Sequence, residues 1–130
     1  MGIIQQITDG VSISVLTSFQ EGYSNPKALD FLFSYEITIE NLSVSPVRLL
    51  RRHWYILDSI GTRREVDGEG VIGQQPLLYP GEQFTYVSAV NIQSEMGRMT
   101  GYYTMENLHI HKLFSVTIPE FELIAPLKMN

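Results

Sequence analysis

The sequence predicts an all-β domain: a fibronectin type III/immunoglobulin-like sandwich of two antiparallel sheets with seven or eight strands. Three observations carry this. Apolar and polar residues alternate with period two in one segment after another. Gly, Pro, Asn and Asp separate these segments at intervals of about a dozen residues. No stretch repeats its apolar residues with the period of an amphipathic helix. At 130 residues the chain suits one domain.

The elements follow in order. Residues 1–10 read as a flexible leader with little to anchor it. From Val11 the pattern alternates, Val11, Ile13 and Val15 against Ser12, Ser14 and Ser18. Gly22, Asn25 and Pro26 then supply turn chemistry. Phe31, Phe33, Tyr35, Ile37 and Ile39 alternate with Leu32, Ser34, Glu36, Thr38 and Glu40, a pattern no helix fits. Pro46 closes the next turn.

Residues 47–58 form a long strand. Arg48, Leu50, Arg52, Trp54 and Ile56 share one face, and Val47, Leu49, Arg51, His53, Tyr55 and Leu57 the other. Bulk on both faces marks a central strand, with Trp54 in the core. A turn at 58–61 leads to a short return strand over 62–66. Further strands are expected at 82–90, 98–106, 112–118 and 121–124, the last two interrupted at Pro119. The domain spans 11–126, and 127–130 is a tail.

Composition narrows the function. Net charge is −5, against the basic face that nucleic-acid binding requires. Five of the nine Lys and Arg residues, Arg48, Arg51, Arg52, Arg63 and Arg64, cluster in one part of the chain. Cysteine is absent, which removes disulfides, thiolate metal sites and a Cys nucleophile. No apolar run is long enough for a membrane-spanning helix, and no signal peptide is visible, so no membrane insertion and a cytoplasmic location are expected.

Gly68-Glu69-Gly70-Val71-Ile72-Gly73 matches G-x-G-x-x-G. As a dinucleotide fingerprint it would need a helix opening within it, and Pro76 and Pro80-Gly81 leave no room for one. A loop bridging two sheets fits better. A phosphate-binding nest of backbone N–H groups is the other reading, with Arg63 and Arg64 just upstream. Arg63, Arg64, Gly68, Gly70 and Gly73 are therefore the candidate ligand loop.

A longer signature surrounds these glycines. His53-Trp54, Gly68, Gly70, Val71, Ile72, Gly73, Gln75-Pro76, Leu78, Pro80-Gly81-Glu82, Phe84 and Tyr86 follow G-x-G-V-[VI]-G-x-Q-P-x-L-x-P-G-E-x-F-x-Y after a His-Trp strand. Gly97, Met99, Gly101, Tyr103 and Met105 follow G-x-M-x-G-x-Y-x-M, and Ile118-Pro119, Phe121 and Leu123 follow I-P-x-F-x-L. Over residues 11–126 the chain resembles the ApaG family. The resemblance implies a fibronectin-type-III-like sandwich with no known enzymatic activity. It also implies a link to cobalt resistance and magnesium efflux. Related domains act as interaction modules in eukaryotic F-box proteins and in a polymerase-interacting protein. The sequence departs from the pattern at Ala89-Val90-Asn91-Ile92 and at residues 107–111.

Remaining chemistry is sparse. His109 and His111, two apart, would share one face of a strand and offer a weak site for Co²⁺. Glu65, Asp67, Glu69 and Glu82 could supply oxygen ligands to Mg²⁺. No cofactor is otherwise expected. No catalytic residue is assigned, since no nucleophile-elbow or triad spacing occurs. Arg51, Arg52, Leu77, Leu78 and Tyr79 are the candidate interaction surface, for a protein partner or a second copy in a homodimer. The expected function is a non-enzymatic interaction module acting on ion efflux indirectly. A receptor for a phosphate-bearing compound at the glycine loop is the alternative.

Overall fold

The computed structural model describes residues 2–126. The described residues form nine strands: β1 (Ile4–Thr8), β2 (Val11–Phe19), β3 (Phe31–Asn41), β4 (Val47–Asp58), β5 (Arg63–Glu69), β6 (Leu77–Leu78), β7 (Gln83–Ile92), β8 (Met96–Asn107) and β9 (Lys112–Ile124). One sheet has the order β1-β2-β3-β7 and the other β5-β4-β8-β9, with β6 paired to the start of β4. All pairings are antiparallel, so the predicted sandwich is the fold. Two short 3₁₀ turns, Glu21–Tyr23 and Pro26–Ala28, fill the link between β2 and β3.

The alternation read from the sequence is the burial pattern. Val11, Ile13, Val15, Phe33, Ile37 and Ile39 are buried on one sheet, facing Met99, Tyr103, Met105, Val116 and Ile118 on the other. Trp54 is 3% exposed. Its ring meets Tyr35 edge-on at 5.4 Å and Phe121 at 5.9 Å, the tilted geometry aromatic quadrupoles favour. Two buried phenols, Tyr86 and Tyr103, satisfy each other through an O···O contact of 2.5 Å. Burial pushes both hydroxyls above the ordinary tyrosine value, so they stay neutral.

Four expectations are corrected. The stretch expected as an unanchored leader holds a strand: β1 pairs along β2 from Ile4↔Val15 to Thr8↔Val11. Asp9 and Gly10, both at positive φ, make the tight turn between them. Strands 112–118 and 121–124 are one strand, β9. It absorbs Pro119 in a bulge, where the register with β8 slips between Met99 and Gly101. A bulge leaves a residue unpaired, which suits one without an N–H. The short return strand runs on to Glu69. The fourth correction concerns β4. Its register with β8 shifts between Leu49 and Arg51, so Leu50 is an extra residue. The core face is therefore Val47 and Leu49 before the bulge, then Trp54 and Ile56 after it. Trp54 does not share its face with Arg48 and Leu50. The expected tail at 127–130 lies outside the described residues.

The sandwich has one closed side and one open side. β1 packs against β9, and the Thr117 N–H donates to the Thr8 hydroxyl at 3.3 Å. On the other side lie the free edges of β7 and β5. There the Arg64 guanidinium donates to the Asn91 carbonyl at 2.6 Å.

Candidate functional site

The glycine loop is built around Leu50 and Arg52. The carbonyl of the bulged Leu50 accepts the Gly70 N–H at 2.8 Å and the Gln75 side-chain amide at 3.0 Å. Arg52 turns inward with Trp54 and donates to the Glu69 and Gly70 carbonyls, both at 2.9 Å. Gly68 makes room for that guanidinium, since a Cβ there would lie 3.0 Å from its terminal nitrogens. Val71 and Gln74 exchange N–H···O bonds of 2.8 and 2.9 Å, closing a two-residue hairpin over Ile72 and Gly73. Both central residues have positive φ, 43° and 76°. Glycine adopts this freely, whereas a β-branched Ile72 is strained in it.

The loop takes up for itself three of the N–H groups that a phosphate cradle would offer. The N–H groups of Gly70, Val71 and Gln74 all donate to carbonyls of the chain. Arg63 and Arg64 sit at the opposite end of β5, paired with Leu57 and Ile56. At a strand rise near 3.3 Å per residue, Arg64 lies roughly 20 Å from Gly70. The two arginines line a shallow cavity of about 340 Å³ instead, together with Tyr55, Arg98 and two carboxylates, Glu65 and Glu120. The expected ligand loop is thus two separate places.

On the outer face of β4, His53 is the centre of a compact cluster. Its ring stacks on Tyr102 at 5.1 Å with only 7° between planes, and Tyr55 lies 4.8 Å away on its own strand. Nδ1 contacts Asp67 at 2.8 Å and Nε2 contacts Glu65 at 3.1 Å. The Asp67 hydrogen bond, with Glu65 adding to it, raises the imidazole above its ordinary value. Asp67 is itself held below the usual carboxylate value, first by its hydrogen bond to Arg51 and then by His53. Both bonds at full strength require both ring nitrogens protonated. Arg51 and Arg52 point to opposite faces of β4, as the alternation predicts, so of the two only Arg51 belongs to this outer cluster.

A third feature is the end of the sandwich where β3 leads into β4. Asn41 is fully buried and ties the β3–β4 loop to the segment running from β6 into β7. Its amide donates to the carbonyls of Ser45 at 2.8 Å and Leu78 at 2.9 Å. Its side-chain oxygen accepts the Ser43 N–H at 3.0 Å, and its backbone carbonyl accepts the Gly81 N–H at 2.7 Å. The Leu108 N–H reaches Pro46 at 3.0 Å, adding the β8–β9 turn. On this scaffold Leu42, Val44, Tyr79 and Ile110 are exposed, Val44 at 95%. Leu78 is not available as a contact, since its 5% exposure puts it in the core, and Leu77 is half-buried beside it. Of the three expected apolar contacts, Tyr79 remains. Leu42, Val44 and Ile110 were not singled out by sequence; an apolar residue in a Ser-rich turn, as in Leu-Ser-Val-Ser, is the signal that could have found Val44.

The histidine pair does not form the expected face. His109 and His111 lie in the turn between β8 and β9, not on a strand, and His111 has φ of 53°. Two residues apart on a turn do not share a side as they do on a strand. Among the described residues no group of three or more His, Cys, Asp or Glu side chains is placed to hold a metal ion. Of the expected magnesium ligands, Asp67 and Glu65 are engaged with His53, and Glu82 accepts the Tyr79 N–H at 2.8 Å.

Comparison with known proteins agrees with the fold. Residues 21–107 match the ApaG domain. The Protein ApaG of Proteus mirabilis (strain HI4320) is 40% identical over 120 residues, covering 92% of this chain and 95% of that protein. The Protein ApaG of Pectobacterium carotovorum subsp. carotovorum (strain PC1) is 41% identical over 116 residues, covering 89% and 92%. A crystal structure from Bordetella pertussis, described as an ApaA protein, superposes with a TM-score of 0.86 at 36% identity, covering 91% of this chain and 95% of that one. No helix among the described residues is long and apolar enough to cross a membrane.

Proposed function

The chain belongs to the ApaG domain family, and on that premise we propose that it is a non-enzymatic protein-interaction module. The observation that carries this is the Asn41-tied end of the sandwich, with Leu42, Val44, Tyr79 and Ile110 exposed on it. Loops at one end of a sandwich are the recurrent binding surface of this architecture. Anchors held by a fixed backbone lose little conformational freedom on docking, which leaves more of the contact energy as affinity.

The His53 cluster supports the absence of catalysis. Both ring nitrogens face carboxylates, so neither is free to take a proton from a nucleophile. The family-level link to cobalt resistance and magnesium efflux then runs through a partner protein, in the cytoplasm.

The test is capture by immobilised protein from a bacterial lysate, comparing the wild type with a Val44→Asp/Tyr79→Asp variant. A partner retained by the wild type and lost by the variant, with the strand content of both unchanged by circular dichroism, is expected. An identical set of captured proteins, or none, would remove this surface as the site.

A further inference from the structure

We propose that β7 is a strand-addition site for an extended, basic segment of a partner protein. The proposal rests on the reading of the domain as an interaction module, but it engages a different surface from the end loops.

Apart from the two-residue β6, four strands lie at sheet edges, and they differ in how they are guarded. β1 and β9 pack against each other across the closed side, and β9 also carries the Pro119 bulge. β5 is guarded by charge, with Arg63, Arg64, Glu65, Asp67 and Glu69. β7 (Gln83–Ile92) has ten residues with no charge, proline or glycine. Its register with β3 runs unbroken from Gln83 to Ile92. Charges, prolines and bulges are the usual devices that stop an edge from pairing, and β7 has none of them.

The backbone groups it offers can be identified. The Glu82 carbonyl accepts from Asn41 at 3.0 Å, so the even positions turn toward β3. Asn91 turns the other way, because Arg64 reaches its carbonyl from the open side. Period two then aims the N–H and C=O of Thr85, Val87 and Ala89 outward. The side chains of these three are exposed on the outer face.

Charge selects the occupant. No lysine or arginine occurs in β1, β2, β3 or β7, and the charged residues among these strands are Glu36 and Glu40. Both sit on β3 in the row next to β7, opposite Val87 and Gln83. Neither has an ion pair among the described residues. A strand added to β7 would lie about 10 Å from these carboxylates, within reach of Lys or Arg side chains across Val87. The two glutamates are four residues apart on one face, so the matching segment carries basic residues at i and i+4 with β-branched residues between. A second copy docked through its own β7 would instead bring four glutamates and no cation to one continuous face.

The probe is a nine-residue peptide of alternating lysine and valine or threonine, with a glutamate-for-lysine counterpart, titrated into ¹⁵N-labelled full chain. Binding of the lysine peptide is expected to slow hydrogen exchange at Thr85, Val87 and Ala89. The glutamate peptide should bind at least tenfold more weakly. Val87→Pro should abolish binding while leaving the fold intact, because the lost N–H faces away from β3 and proline is tolerated at an edge. Glu36→Gln with Glu40→Gln should remove the preference between the two peptides, and Val44→Asp/Tyr79→Asp should leave binding unchanged. Equal binding of both peptides to the wild type overturns the proposal. So does protection mapping outside β7, absence of binding, or a wild-type dimer that Val87→Pro converts to monomer.

Discussion

The sheet β1-β2-β3-β7 and the sheet β5-β4-β8-β9 bury similar faces and expose opposite ones. Outside the core, the first is held by neutral hydrogen bonds: Gln5 to Ser12 at 2.7 Å, Gln20 to Ser34 at 2.9 Å, and Thr38 with Thr85 at 2.9 Å. The second carries the ion pairs Arg51–Asp67, His53–Asp67, His53–Glu65 and Arg98–Glu120. The difference separates two jobs. Charge guards the β5 edge and ties it to β4, while β7 has no charge of its own and is unguarded. It also means that the ion pairs that salt can screen lie on one half of the sandwich.

The largest effect should break the comparison by striking what the sheets share. Trp54→Ala removes the ring that meets Tyr35 of one sheet and Phe121 of the other, and should cost about 3–5 kcal/mol in urea unfolding. Both sheets should melt in one transition. Amides of β2 and β3 staying protected after those of β4 and β8 exchange would show two units. Next, Asn41→Ala strands the Ser45 and Leu78 carbonyls at the loop end and should cost about 1–3 kcal/mol. The same variant should loosen the loops around Val44, read as faster amide exchange there.

Ile72→Asn should act with the opposite sign. It puts Asn-Gly, the preferred type I′ pair, where an exposed isoleucine now sits at positive φ, and should stabilise by about 1 kcal/mol. A neutral or negative result would show that Ile72 makes contacts that offset its strain.

The smallest effect sharpens the contrast between the outer faces. His53 is raised above 6.5 in the folded protein, first by Asp67. Its contribution is therefore fully present below that value and is lost as pH rises through the folded pKa. The urea midpoint of the wild type should exceed that of His53→Gln at about pH 6, and the gap should shrink by about pH 9. Thr38→Val on the neutral sheet should show a gap that does not change with pH. A pH-independent gap for His53→Gln would mean that the ring acts by stacking on Tyr102 alone.

Much of the fold was legible in the residues, and less of the site. Ten alternating positions from Phe31 to Glu40 identify β3 without help, and Trp54 reads as core because a lone Trp on an apolar strand is usually buried. The glycine fingerprint was correctly set aside as a helix opening, since Pro76 and Pro80 follow too closely. Its grouping with Arg63 and Arg64 failed, because nearness in sequence along an extended strand is distance in space. Leu78 looked like a surface contact and is core, because its pairing partner is Val47, far away in the chain. Asn41 gave no signal, since an asparagine at the end of a strand looks like turn chemistry until a second, distant segment bonds to it.

Periodicity and turn residues were enough to establish a β-sandwich, because side-chain alternation is a property of a single extended backbone and needs no partner to be visible. Tertiary structure decided the rest. It anchored β1 beside β2, carried β9 through Pro119, and switched the phase of β4 at Leu50, where the Gly70 N–H and the Gln75 amide hold the bulged carbonyl. It also placed β7 at an open edge. Each of these depends on pairing between distant segments, and local alternation carries no record of which strand lies alongside.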